Sequence, residues 1–197
     1  MNEGLETPPW LVTLVCGASG VGKSRIAGRL ARRYRVPVAE ADDIVTALAA
    51  LTSPAEAPEL HLWDTNPEVR SWPPERIAEQ HFRLADALRP GFIAVIEDHL
   101  EFGAPILFEG DYLTPELARD LGSDVRSVVV SEPDEDRLVA NLEAREAGDQ
   151  GRRLRAAVSM LVEAELVRRA AQAGAPVVPS RPWGNAPERV DRALRGV

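Results

Sequence analysis

The chain has 197 residues, of which 45% are hydrophobic and 27% charged, with a formal net charge of -8 and a pI near 5.0. That length suits one domain over residues 1–197, with a core that needs neither disulfides nor a structural metal. The acidic balance argues against a nucleic-acid partner, the single cysteine permits no intrachain disulfide, and no apolar run is long enough to cross a bilayer. With no signal peptide in view, the expectation is a cytoplasmic protein without a membrane partner.

Residues 1–9 are polar, carry a double proline and read as a lead-in. Residues 10–16 are a buried apolar strand ending in Cys16, whose place favours an inert thiol. Gly17, Ala18, Ser19, Gly20, Val21, Gly22, Lys23 and Ser24 follow, fitting G-x-x-x-x-G-K-[ST], the loop that cradles phosphates. Glycines let backbone N–H groups turn toward an anion. The helix behind adds its positive dipole end. Lys23 is assigned to the β- and γ-phosphates and Ser24 to Mg²⁺. Ile26, Leu30 and Tyr34 recur at helical spacing after the loop, so strand, loop and helix stand in the order that the motif requires. Lys23 is also the only lysine in the chain. A compact ammonium fits between phosphates where a planar guanidinium is bulkier.

Residues 36–39 read as a second strand, followed by Glu40, Ala41, Asp42 and Asp43. Ligands of open α/β sheets bind beyond the carboxyl ends of the strands. Asp42 is the candidate base for a substrate hydroxyl, and Asp43 a cap for a helix over residues 44–51 or a secondary contact. Residues 52–74 are irregular and hold five of the 16 prolines. This stretch, with His61, Trp63 and Trp72, reads as part of an acceptor-binding region spanning about residues 44–104. Pro74 fits a helix first turn. Pro90 and Gly91 predict a kinked helix or two consecutive ones. Arg83 or His99 is a candidate for facing the acceptor.

Residues 105–111 form the second strong signal, a buried strand ending in acids. Glu109, with Asp111 as the alternative, is assigned to the Mg²⁺ shell. Thr114 and Pro115 start a short helix that Gly122 ends. Residues 125–130 are another strand, and Ser131 with Asp134 has capping-box spacing before a helix. Residues 145–156 are polar, glycine-hinged and rich in arginine. They read as a lid, with Arg145 and Arg152 as the guanidinium groups placed on charge developing in the transition state. An amphipathic helix runs from there to Gly174. A last strand at residues 176–179 leads to a loop at 180–184 that borders the adenine. Asn185 with Glu188 caps a terminal helix.

These features resemble the small phosphate-loop kinases, most closely the 2-phosphoglycerate kinase-like proteins. The residues carrying the resemblance are 17–24, the acidic run from Glu40 to Asp43, and Ile106, Leu107, Phe108, Glu109, Gly110, Asp111, Tyr112 and Leu113. Asp42 also matches the acid of chloramphenicol phosphotransferase-like and gluconate kinase-like enzymes. The resemblance implies an α/β fold: a three-layer P-loop NTPase with a five-stranded parallel sheet of order 2-3-1-4-5. It further implies a nucleoside-monophosphate-kinase-like arrangement with a helical lid, and ATP with Mg²⁺ as donor. The resemblance assigns no counterpart to residues 52–74 and so leaves the acceptor open.

The expected activity is therefore ATP-dependent phosphoryl transfer to a small hydroxylated or phosphorylated metabolite, by a monomer or homodimer. A nucleoside or nucleotide kinase is the alternative. An ATP-dependent switch without an acceptor is the alternative from another class. A GTPase is disfavoured, because a guanine-binding Asn-Lys-x-Asp run needs a second lysine.

Overall fold

Five short apolar segments assemble into one parallel sheet. The structure, a computed structural model, describes residues 7–144 and 151–197. Strand β1 spans Val12–Cys16, β2 Val38–Glu40, β3 Ile106–Gly110, β4 Val125–Ser131 and β5 Val177–Pro179. Their order across the sheet is β2-β3-β1-β4-β5, with every pairing parallel. β1 and β3 are buried along their whole length, as strands covered on both faces must be.

The helices are α1 (Lys23–Tyr34), α2 (Ala41–Leu51), α3 (Leu62–Thr65), α4 (Pro74–Glu101), α5 (Glu116–Leu121), α6 (Glu135–Glu143), α7 (Arg152–Ala173) and α8 (Ala186–Arg195). Short 3₁₀ turns at Pro67–Ser71 and Trp183–Asn185 complete the described chain. The buried core runs from Trp10 and β1 through α1 and α4 to α7 and α8. Tyr34, buried inside it, donates its hydroxyl proton to Asp191 at 2.7 Å, tying α1 to α8. Among the described residues no helix is long and apolar enough to cross a membrane.

Several local expectations are corrected. Of the two alternatives at Pro90, two consecutive helices is ruled out: α4 is one helix of 28 residues with Pro90 inside it. Pro90 and Asp86, the residue whose carbonyl it leaves unpaired, are both exposed, while Phe92 and Ile96 beyond stay in the core. α2 starts at Ala41 rather than Ile44; Asp42 and Asp43 therefore lie in its first turn, where they meet the positive helix end, and neither is the cap. α6 is capped by Asp134, which accepts from the Arg137 N–H at 3.2 Å. Ser131 belongs to β4 and is buried. Asn185 occupies the cap position of α8 without a side-chain hydrogen bond.

Candidate active site

The parallel sheet directs the ends of β1, β2 and β3 to one edge, and the candidate residues gather there. Gly17, Gly20 and Gly22 take positive φ values of 152°, 84° and 94°, which fold residues 17–22 into a loop over the α1 N-terminus. Gly22 is further constrained from outside: a methyl group there would overlap the Trp183 ring. Ala18, Gly20 and Val21 are buried. Lys23 opens α1, is 8% exposed, and donates through Nζ to the Ala18 carbonyl at 2.9 Å, so its ammonium curls back over the loop. Ser24 is exposed one residue further on.

The acidic half is built by strand register. Glu40 on β2 lies opposite Glu109 on β3, and Glu109 lies opposite Val15 on β1. Gly110 lets β3 press against α2, since a Cβ there would run into the Ala41 side chain. That close approach brings Asp111 beside Asp42. A cavity of about 60 Å³ is lined by Ser19, Lys23, Ser24, Glu40, Asp42, Glu109, Gly110 and Asp111. The carboxyl of Asp42 is pushed above the ordinary carboxylate range, first by partial withdrawal from water and then by the charge of Asp111, with Glu109 and Glu40 adding and Lys23 opposing.

Those carboxylates and the Ser24 hydroxyl are hard oxygen donors of the kind that Mg²⁺ takes. Among the described residues, no group of three or more His, Cys, Asp or Glu forms a ready metal cage. The loop's positive φ run and the buried Lys23 suit an anionic phosphate chain.

A second cavity, of about 680 Å³, adjoins the first and shares Ser19 and Asp111 with it. One wall is a stripe of α4: Ile77, Gln80, His81 and Leu84, at i, i+3, i+4 and i+7. His81 shares a hydrogen bond of 2.9 Å between Nε2 and the Asp111 carbonyl, and a carbonyl only accepts, so Nε2 carries the proton. The imidazole stacks on Tyr112 with centroids 4.7 Å apart, and burial pulls its pKa down. α7 contributes Leu154, Arg155, Val158 and Ser159; Glu59 and Trp63 close the side nearest α3.

Of the other expected residues, Arg145 lies outside the described residues. Arg152 starts α7 and donates to Glu143 at 3.2 Å; Arg155, one turn on, is the arginine at the second cavity. Arg83 and His99 do not face that cavity. Successive helical residues turn by about 100°, and Arg83 points to a separate cleft with Glu165 and Arg169. His99 bonds the Ala104 carbonyl at 3.0 Å. His61 bonds Thr52 at 3.2 Å, and the Trp72 ring is covered by Arg76 at 3.5 Å. His81 and Tyr112 went unassigned in the sequence. The α4 spacing from Ile77 was the available signal for His81.

On the other side of the glycine loop, the Arg25 and Arg181 guanidiniums lie 5.3 Å and 5.1 Å from the Trp183 ring. Asn141 donates to the Gly20 carbonyl at 2.8 Å and accepts from Arg181 at 3.2 Å. Arg181 in turn bonds the buried Glu132 at 3.0 Å, and Glu163 accepts from the Glu132 N–H at 2.8 Å. This chain of contacts joins the phosphate loop to α6, the residue 180–184 loop and α7.

Sheet order, glycine loop and flanking helices together define a P-loop NTPase fold of the nucleoside-monophosphate-kinase-like type. Solved structures share that fold across nearly the whole chain. A gluconokinase from Sinorhizobium meliloti matches at 19% identity, covering 97% of this chain and 93% of that one, with a TM-score of 0.56. Shikimate kinase from Bacteroides thetaiotaomicron matches at 13% identity, covering 94% and 98%, with a TM-score of 0.51. Shikimate kinase from Aquifex aeolicus matches at 15% identity, covering 94% and 97%, with a TM-score of 0.50. No protein-family model matches the chain, and no curated protein matches it in sequence.

Proposed function

We propose that the protein is an ATP-dependent phosphotransferase acting on a small hydroxylated metabolite. One observation carries this reading: Lys23, Ser24, Asp42, Glu109 and Asp111 line one small cavity that shares Ser19 and Asp111 with a larger one. The first seats the terminal phosphate and the second the acceptor. The likeness in fold to gluconokinase and shikimate kinase supports it.

In this reading Lys23 leaves the Ala18 carbonyl for the β- and γ-phosphates. Ser24 and Glu109, with Asp111, hold Mg²⁺ directly or through water. The ion neutralises charge on the phosphoryl group in flight. Asp42 orients the acceptor hydroxyl and takes its proton, a task helped by a raised pKa. Arg145 and Arg152 are the lid cations, and the loop at residues 180–184 borders the base of the donor. Catalysis is then mostly positioning and electrostatics. A nucleoside acceptor is the second reading, favoured by the aromatic side chains of Trp63 and Tyr112. The motif resemblance to 2-phosphoglycerate kinase-like proteins remains part of the proposal only as far as the donor site.

The test is incubation with ATP·Mg²⁺ and a panel of alcohols, sugars and nucleosides, reading ADP release and phosphorylated product. Lys23→Ala and Lys23→Arg are each expected to cut transfer by about 10²-fold or more. Unchanged turnover in Lys23→Ala would refute the site.

A further inference from the structure

We infer that the 680 Å³ cavity selects an alcohol with a flat apolar body and no anionic group, and that Trp63 and Tyr112 are specificity-determining residues for it. This deepens the kinase reading and rests on it for what happens to the hydroxyl.

The volume falls within the roughly 300–1,000 Å³ range of sites that take drug-sized ligands. A three-carbon acid would leave most of it filled with water. The walls are largely hydrocarbon: Ile77 and Leu84 from α4, Leu154 and Val158 from α7. Two further surfaces are flat. Tyr112 is held parallel to His81, with 19° between the rings, and Trp63 is 42% exposed, presenting its indole to the space. Aromatic faces held this way favour a planar ligand inserted between or against them.

Charge points the same way. Among the described residues lining the cavity, Glu59 and Asp111 are set against one guanidinium, Arg155. Three further carboxylates, Asp42, Glu40 and Glu109, lie next door in the small cavity, where Lys23 is the one cation among the described residues. A carboxylate or phosphate acceptor entering here loses water and meets like charge. Such ligands are normally held by forked pairs of guanidinium donors. Among the described residues, Arg83 and Arg169 line the separate cleft and Arg152 donates to Glu143. The hydroxyl end of a neutral ligand meets Asp111 and Ser19, the two residues common to both cavities, which puts it beside Asp42.

The experiment uses four probes with the full chain: 4-methylumbelliferyl glucoside, the matching glucuronide, glucose and gluconate. Calorimetric titration gives each Kd with and without a non-hydrolysable ATP analogue and Mg²⁺. The aryl glucoside is expected to bind about tenfold or more tighter than both the glucuronide and glucose. Trp63→Ala is expected to erase that advantage, and Trp63→Phe to restore most of it, while the Kd for the ATP analogue stays the same in both. Trp63 sits on the short, exposed α3, so these variants leave the core intact. The inference is overturned if the glucoside does not bind, if either anionic probe binds as tightly, or if Trp63→Ala leaves the glucoside Kd unchanged. Phosphoryl transfer is then read by mass spectrometry. Trp63-dependent glucoside binding without transfer to any alcohol upholds the cavity assignment and defeats the kinase reading. Transfer to gluconate but not to the glucoside does the reverse.

Discussion

Asn141 grips the phosphate loop from outside: its Nδ2 donates to the Gly20 carbonyl at 2.8 Å, across 121 residues of sequence. Its Oδ1 is occupied by Arg181 at 3.2 Å, so both ends of the amide are engaged. Asn141→Ala releases the Gly20 carbonyl and one guanidinium N–H together. The expected cost is about 1–2 kcal/mol of stability, with a weaker ATP·Mg²⁺ affinity, measured by urea unfolding and by calorimetry. An unchanged nucleotide Kd in Asn141→Ala would show that the loop holds its shape without this clamp.

Gly22 faces two constraints that can be separated. Its φ of 94° disfavours any side chain, and Trp183 fills the space a Cβ would need. The backbone part of Gly22→Ala costs about 1–3 kcal/mol, and the overlap with the indole adds to it. Trp183→Ala removes only the overlap. The double variant is therefore expected to be less damaged than the sum of the singles, by about 0.5–3 kcal/mol. Strict additivity in chemical denaturation would mean that the indole moves aside without cost.

Asp42 owes its raised pKa to partial burial first and to Asp111 next. Raising the value means that the proton is kept to a higher pH, so the base form is lost earlier as pH falls. In Mg²⁺-free protein, carboxyl-carbon NMR should show Asp42 titrating above the ordinary carboxylate range. Asp111→Asn should bring it back toward that range, because a repelling charge is gone. A downward shift that is absent, or an upward one, contradicts the proximity of the two side chains.

Glu163 is 5% exposed, and its pKa is raised by burial first, with the Glu132 charge adding and the Glu132 N–H opposing. Folding therefore favours the protonated form. At a pH above the folded-state value the buried charge costs stability; as pH falls through that value toward the unfolded one, the cost disappears. Glu163→Gln keeps an acceptor for the Glu132 N–H and removes the charge. It should raise Tm at neutral and alkaline pH, with the gain shrinking on acidification. A gain independent of pH would assign the effect to packing instead.

The strands β1 and β3 and the glycine loop were legible in the chain because their signals are local, whereas the strand order followed only from the family resemblance. The run from Gly17 to Ser24 needs only its own glycines and the helix behind it. Glu109 and Asp111 were legible because they end an apolar strand. What the sequence hid depends on partners far away. Asn141, Trp183 and Arg181 come to the loop only through the crossover connections of the sheet. The choice of His81 over Arg83 depends on which side of α4 packs against α7, a tertiary fact. Pro90 left one helix or two open for a related reason: a proline is tolerated inside a helix where the packing on both sides of it holds, and Leu88 and Phe92 on either side are buried.

Ser19 and Asp111 are the sole side chains lining both the small acidic cavity and the larger aromatic one among the described residues. Lys23 and Ser24, proposed to grip the nucleotide, lie on one side of that pair, and Trp63, Tyr112, Ile77, Leu84 and Val158, proposed to sort alcohols, lie on the other. In the proposed reading, substitutions at Trp63, Tyr112 and the cavity-facing positions of α4 can therefore retarget the molecule while Lys23 and Ser24 stay untouched. Selection for a new acceptor has a separate surface on which to work.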